Sequence, residues 1–175
     1  MARANTRKVH KPLVGVVMGS ESDLPAMQRC LESLEAFGIA YEVRVISAHR
    51  TPAAAHEYAS TAARRGLKVI IAAAGMSAAL GGVLAANTTL PVIGVPMAAG
   101  PLVGVDAALS TMQMPPGVPL ACMAIGGAGA ANAAIFAARI LAVRDKALTG
   151  KLRKFAAAQA RGVARQDLAV QRRRS

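Results

Sequence analysis

Two short segments of this 175-residue chain carry the residue types that proton transfer and phosphate binding require. One is Ser47-Ala48-His49-Arg50-Thr51-Pro52. Histidine titrates near neutral pH, so His49 could move a proton between atoms of a bound molecule. Arg50 offers a planar fork that suits a phosphate, and Ser47 adds a hydroxyl beside it. The competing reading is an exposed loop histidine with no chemical duty. The other segment is Gly19-Ser20-Glu21-Ser22-Asp23. Glycine permits a tight turn, the Ser20 and Ser22 hydroxyls and the N–H groups of a following helix can receive a phosphate, and Asp23 can accept from sugar hydroxyls. Equally, Ser22 or Asp23 could simply cap that helix. The segment has neither the GK[ST] of a P-loop nor a GxGxxG pattern.

Two further segments are built from small residues. Gly75-Met76-Ser77, followed by Ala78 to Gly82, lets backbone N–H groups come close to a ligand, or lets helices pack closely with no ligand. Gly126-Gly127-Ala128-Gly129 reads as a turn into a helix. Asn132 just beyond it would either bond a neighbouring backbone group or close a site. His10 and His56 fall in a basic arm and on a helix surface. With no matching carboxylate or thiol cluster, a metal site is not expected. Cys30 and Cys122 are too far apart for a metal knuckle or a redox pair and read as small buried hydrophobes.

These segments sit between elements that alternate along the chain. Five apolar runs are expected as strands: Leu13–Met18, Tyr41–Ile46, Lys68–Ala73, Pro91–Pro96 and Val118–Ile125. Helices are expected at Leu24–Phe37, from Pro52 to near Gly66, at Ala78–Ala86, briefly at Asp106–Met112, at Ala130–Arg144, and from near Gly150 onward. Continuous apolar strands alternating with helices predict a parallel sheet covered on both faces. The expected fold is α/β: a three-layer, doubly wound, five-stranded, flavodoxin-like sheet of order 2-1-3-4-5 with an extra C-terminal helix. In such a sheet ligands bind beyond the carboxyl ends of the strands, where the candidate segments fall.

More than half of the residues are apolar, with three Phe, two Tyr and no Trp. The core must use Ala, Val, Leu, Ile and Met, and little is left for stacking nucleic-acid bases. The net charge of +12 is concentrated at the ends: +4 over residues 1–11, +7 over residues 151–175 and about +1 between them. The ends read as solubilising tails or as contacts for polyanions, and nucleic acid is not an expected partner. The chain thus divides into a basic arm (1–11), a catalytic domain (12–150) and a basic helix or tail (151–175). No signal-peptide core or membrane-length apolar run is seen, so a cytoplasmic protein is expected.

The motifs MGSESD (18–23), SAHRTP (47–52), STMQMPPGVP (110–119) and AIGGAGAANAA (124–134) resemble those of the aminoimidazole ribonucleotide carboxylase/mutase family over about residues 13–148. The resemblance implies a homo-octamer without metal or cofactor, acting in purine biosynthesis on 5-(carboxyamino)imidazole ribonucleotide. By motif, Ser20, Ser47 and Arg50 would hold the 5′-phosphate, with Ser22 beside them, and Asp23 the ribose. His49 would shuttle the proton, and Gly75, Met76 and Ser77 would line the imidazole and carboxyl pocket. CO₂ would pass from the exocyclic 5-amino nitrogen to C4. An ATP-dependent synthetase of the N-carboxylated ribotide would be the functional partner. One segment departs from the pattern: Ala74–Gly82 reads AGMSAALGG where mutase-type members read AGGAAHLPG, so Ala79 replaces a histidine. That segment is closer to carboxylases that use free CO₂ and the amine, whereas Arg50 and the two later motifs favour the mutase.

Overall fold

The computed structural model describes residues 11–174. The basic arm expected over residues 1–11 therefore lies almost wholly outside the described residues. Two compact units divide between Ala137 and Ala138. This division concerns compactness and not the functional boundary placed at residue 150.

The first unit is built on five parallel strands: β1 (Val14–Met18), β2 (Tyr41–Val45), β3 (Val69–Gly75), β4 (Val92–Met97) and β5 (Ala121–Cys122), in the order β2-β1-β3-β4-β5. The doubly wound, flavodoxin-like order expected from the sequence is the one observed. Register is fixed by pairs such as Val14 with Tyr41, Val14 with Val69 and Ile70 with Val92. Every residue of β1 and β4 is buried, as their unbroken apolar runs require, whereas β2 lies at an edge and is half open.

The connections are α1 (Leu24–Phe37), α2 (Pro52–Arg65), α3 (Ala79–Ala86) and α4 (Val105–Met112), with α5 (Gly127–Ala142) after β5. Met27, Cys30, Leu31 and Leu34 form the buried stripe of α1, and Gly38 ends that helix in a left-handed conformation. Ala55, Tyr58, Ala59 and Ala62 of α2 pack with Leu80 and Leu84 of α3 over Val17, Ile70 and Ala72 of the sheet. Small residues allow this closeness. A Cβ on Gly15 would lie 2.1 Å from the Tyr58 phenolic oxygen, and one on Gly94 2.4 Å from Thr111 Cγ2.

Three boundaries differ from expectation. The fifth strand shrinks from eight residues to Ala121–Cys122 because Pro119 has no N–H to donate and the chain beyond Cys122 meets β4 only through single bonds, Met123 N–H to Gly94 O and Gly126 N–H to Pro96 O. α5 begins at Gly127 rather than Ala130, since the glycine turn is itself helical. There a Cβ on Gly129 would stand 1.6 Å from the Ala124 carbonyl oxygen, so only glycine fits. The last helix, α6 (Lys146–Arg172), begins before Gly150 because Asp145 caps it by accepting from the Leu148 N–H at 3.0 Å. Among the described residues no helix is long and apolar enough to cross a membrane.

Candidate active site

The turns after β1, β2 and β3 open onto one cleft of about 490 Å³ at the carboxyl ends of the strands. Its walls include Ser20, Ser22, Asp23, Ser47, His49, Arg50, Gly75, Met76 and Ser77, so the candidates that follow the first three strands all border the same space.

The first turn is fastened internally. Ser20 Oγ accepts from the Ser22 N–H at 3.3 Å and from the Ser22 hydroxyl at 2.8 Å, and the Ser20 N–H donates to Asp23 Oδ2 at 3.2 Å. These bonds form a capping box around a 3₁₀ turn, Glu21–Asp23. The cap is therefore Ser20, not Ser22 or Asp23: Asp23 precedes α1 but its carboxylate turns back toward Ser20 and makes no capping bond to that helix. Asp23 is a rare buried charge among the described residues, and burial raises its pKa against the lowering effect of the Ser20 N–H.

The second turn carries Ser47, His49 and Arg50. Ser47 Oγ accepts from the Arg50 N–H and from Arg50 Nε, both at 3.2 Å. Arg50 Nη2 donates to the Gly19 carbonyl at 3.1 Å, which ties this turn to the one after β1. The guanidinium is thus held across the cleft wall before any ligand arrives. His49 is exposed in the same turn, and among the described residues no hydrogen bond fixes its ring.

Sequence reasoning missed Thr51. It stands at the N-cap position of α2 yet makes no capping bond. Its hydroxyl instead accepts from the Ser47 N–H at 3.1 Å and donates to the Ser47 carbonyl at 2.8 Å, while its own N–H donates to that carbonyl at 2.8 Å. Thr51 therefore closes the loop that carries Ser47, His49 and Arg50. The signal was present in the Thr-Pro pair at a helix start, but it reads as ordinary capping.

The third turn is strained. Met76 (φ 56°) and Ala78 (φ 35°) are left-handed without being glycine, and they flank Ser77. Gly75 has no room for a side chain, because a Cβ there would meet Ala99 Cβ at 2.6 Å. Ala99, after β4, also lines the cleft and was not anticipated, since nothing in its own segment marks it; the pairing of β3 with β4 brings it there. Ala79 lines the cleft with a methyl group where a histidine was expected from the family pattern. Asn132 is exposed on α5 and is not among the cleft residues. His56 packs as a surface group, its Nδ1 2.7 Å from Asn87 Oδ1. Among the described residues no three His, Cys, Asp or Glu side chains gather in a way that could hold a metal ion.

An open parallel sheet with a polar cleft beyond its strand ends, furnished with one histidine, an anchored arginine and hydroxyls, is the arrangement of a doubly wound α/β protein with a small-molecule cleft. The family model for AIR carboxylase matches residues 13–162, and the chain belongs to that family. It is 53% identical over 148 residues to an N5-carboxyaminoimidazole ribonucleotide mutase of Pyrococcus abyssi, covering 85% of this chain and 84% of that one. A Mycobacterium tuberculosis protein of the same name is 51% identical over 162 residues, covering 93% and 92% of the two chains. Among solved structures, Treponema denticola PurE superposes with a TM-score of 0.81 at 30% identity, over 90% of this chain and 98% of that one.

Proposed function

We propose that this chain is an N5-carboxyaminoimidazole ribonucleotide mutase of purine biosynthesis. The observation that carries the reading is the identity of about half its residues to proteins of that name, over more than four-fifths of its length. The cleft suits the chemistry. A ribotide phosphate would lie against Ser20, Ser47 and Arg50, with Ser22 at the rim and the ribose hydroxyls donating to Asp23. Gly75, Met76 and Ser77 would enclose the imidazole end.

The reaction transfers a carboxyl group with no change of oxidation state. The bond from the exocyclic nitrogen to the carboxylate breaks, releasing CO₂ and leaving the electron pair on nitrogen. His49 gives a proton to that nitrogen. C4, made nucleophilic by the amine, attacks CO₂. The resulting tetrahedral C4 loses its proton to His49, which restores both the aromatic ring and the imidazolium. Holding CO₂ beside its acceptor replaces a bimolecular encounter with an intramolecular one. We further propose a homo-octamer, and an ATP-dependent synthetase as the source of the N-carboxylated ribotide.

A second reading, direct carboxylation of the free amine by CO₂, is favoured by one observation: Ala79 puts a methyl group where the family pattern has a second histidine. A paired assay separates the two. One arm supplies the N-carboxylated ribotide at low bicarbonate, and the other supplies the free amine with abundant CO₂. Faster product formation in the first arm supports the mutase. Turnover confined to the second establishes the carboxylase, and silence in both removes the function.

A further inference from the structure

The sheet order β2-β1-β3-β4 sorts the cleft walls into two sides of opposite character. The turns after β2 and β1 bring hydroxyls and charge. The turns after β3 and β4 bring Ala74, Met76, Ala78, Ala79, Leu80 and Ala99, and among the described lining residues of that side only Ser77 has a polar side chain. Those two turns also meet. A Cβ on Gly75 would stand 2.6 Å from Ala99 Cβ, and one on Gly100 would stand 3.4 Å from Met76 Cγ and 3.9 Å from its Sδ and Cε. The Met76 side chain therefore runs along Gly100 and bridges the turn after β3 to the loop after β4. It lines the cleft and is 55% exposed, so it stands between the cleft and solvent. Its backbone is left-handed (φ 56°), which glycine adopts freely and methionine only at a cost. A side chain held there against that cost points to a task for what it touches.

We propose that Met76 seals the apolar side of the cleft against the escape of CO₂, its thioether supplying the bulk that Ala79 lacks. The segment AGMSAALGG differs from AGGAAHLPG at positions 76, 77, 79 and 81, and two of these exchanges move bulk within the cleft lining: a glycine becomes Met76 and a histidine becomes Ala79. Space opened at one position is thus filled from the other. CO₂ is small, uncharged and without a net dipole, so hydrogen bonds hold it poorly and walls must confine it. Its capture by C4 competes with its diffusion out of the cleft, and confinement decides that competition. The inference rests on the mutase reading, in which CO₂ is released before it is recaptured.

The test is carbon retention by the full chain. Ribotide with an isotope-labelled N-carboxylate carbon is turned over in unlabelled bicarbonate with added carbonic anhydrase, which mixes any escaped CO₂ into the unlabelled pool. Mass spectrometry then reads leaked carbon, as unlabelled product plus free amine, against labelled product, after subtraction of the enzyme-free rate. The parent should retain most of its label. Met76→Gly should raise the ratio of leaked to retained carbon about tenfold, because free diffusion replaces a confined neighbour. It should stay folded, since glycine suits the left-handed backbone. Met76→Leu should keep the label, and Met76→Gly/Ala79→His should recover it by returning bulk from the other position. The seal is overturned if the parent turns over the ribotide yet places unlabelled carbon on C4, if Met76→Gly retains label as the parent does, or if the double variant leaks as the single one does. A parent that does not turn over the N-carboxylated ribotide overturns the mutase reading itself, and this inference with it.

Discussion

Removing the Thr51 hydroxyl while keeping its shape, as in Thr51→Val, should disable the loop that carries His49 without unfolding the protein. The hydroxyl makes two hydrogen bonds, accepting from the Ser47 N–H at 3.1 Å and donating to the Ser47 carbonyl at 2.8 Å. Each such bond is worth about 0.5–1.5 kcal/mol net, and because water reaches this exposed turn the pair together should supply about 1–2 kcal/mol. The Thr51 N–H still donates to the Ser47 carbonyl in the variant, so the turn loosens and does not vanish. The lost energy held Ser47, His49 and Arg50 in register, and it should reappear as a fall of about 5–30-fold in kcat/KM. The assay is conversion of the N-carboxylated ribotide, with KM and kcat resolved separately and a thermal melt alongside. Loosened Ser47 and Arg50 raise KM, a misplaced His49 lowers kcat, and the melting temperature should fall by only about 2–8 °C, because the same two bonds are lost from the folded state. Thr51→Ser keeps the oxygen and should restore most of the activity. A folded Thr51→Val within about twofold of the parent in kcat/KM would refute the positioning role. So would a Thr51→Ser variant as impaired as Thr51→Val.

His49→Asn should abolish turnover and retain ribotide binding by calorimetry; near-normal turnover would remove the proton-shuttle role. Arg50→Lys should chiefly raise KM, because a lysine cannot bond both Ser47 Oγ and the Gly19 carbonyl while facing a phosphate; unchanged KM would place the phosphate elsewhere. Burial holds the Asp23 pKa above its ordinary value, so the folded state binds that proton more tightly than the unfolded state. The ionised carboxylate therefore costs stability above the folded pKa, and the cost fades as pH falls from there toward the unfolded value, below which it is gone. Asp23→Asn should raise the melting temperature at neutral pH, lose that advantage near pH 3, and weaken ribotide binding; a pH-independent difference would refute this account. Gly15→Ala should destabilise by about 1–3 kcal/mol through overpacking. Its methyl would press on the Tyr58 phenol 2.1 Å away, and an unchanged urea midpoint would mean that α2 shifts freely.

The elements and their order follow from the residue types and their spacing. Unbroken apolar runs can be satisfied only inside a sheet covered on both faces, and Gly38, Pro52 and Gly66 punctuate helices through local backbone chemistry that no distant contact overrides. The sequence also determined where to look for chemistry, since parallel strands place their following turns on one side. Tertiary structure decided how those turns hold one another. That Arg50 is anchored on Gly19, thirty-one residues away, follows from β1 lying beside β2, and no spacing rule contains it. Ala99 enters the cleft only because β4 pairs with β3. Thr51 looks like a cap in sequence, and only the path of the chain after β2 turns its hydroxyl back to Ser47. The fifth strand was overread for the converse reason. Apolarity marks what wants burial, but a strand also needs N–H groups in register with a neighbour, and beyond Pro119 the chain offers these only at Ala121–Cys122 and at isolated residues after them.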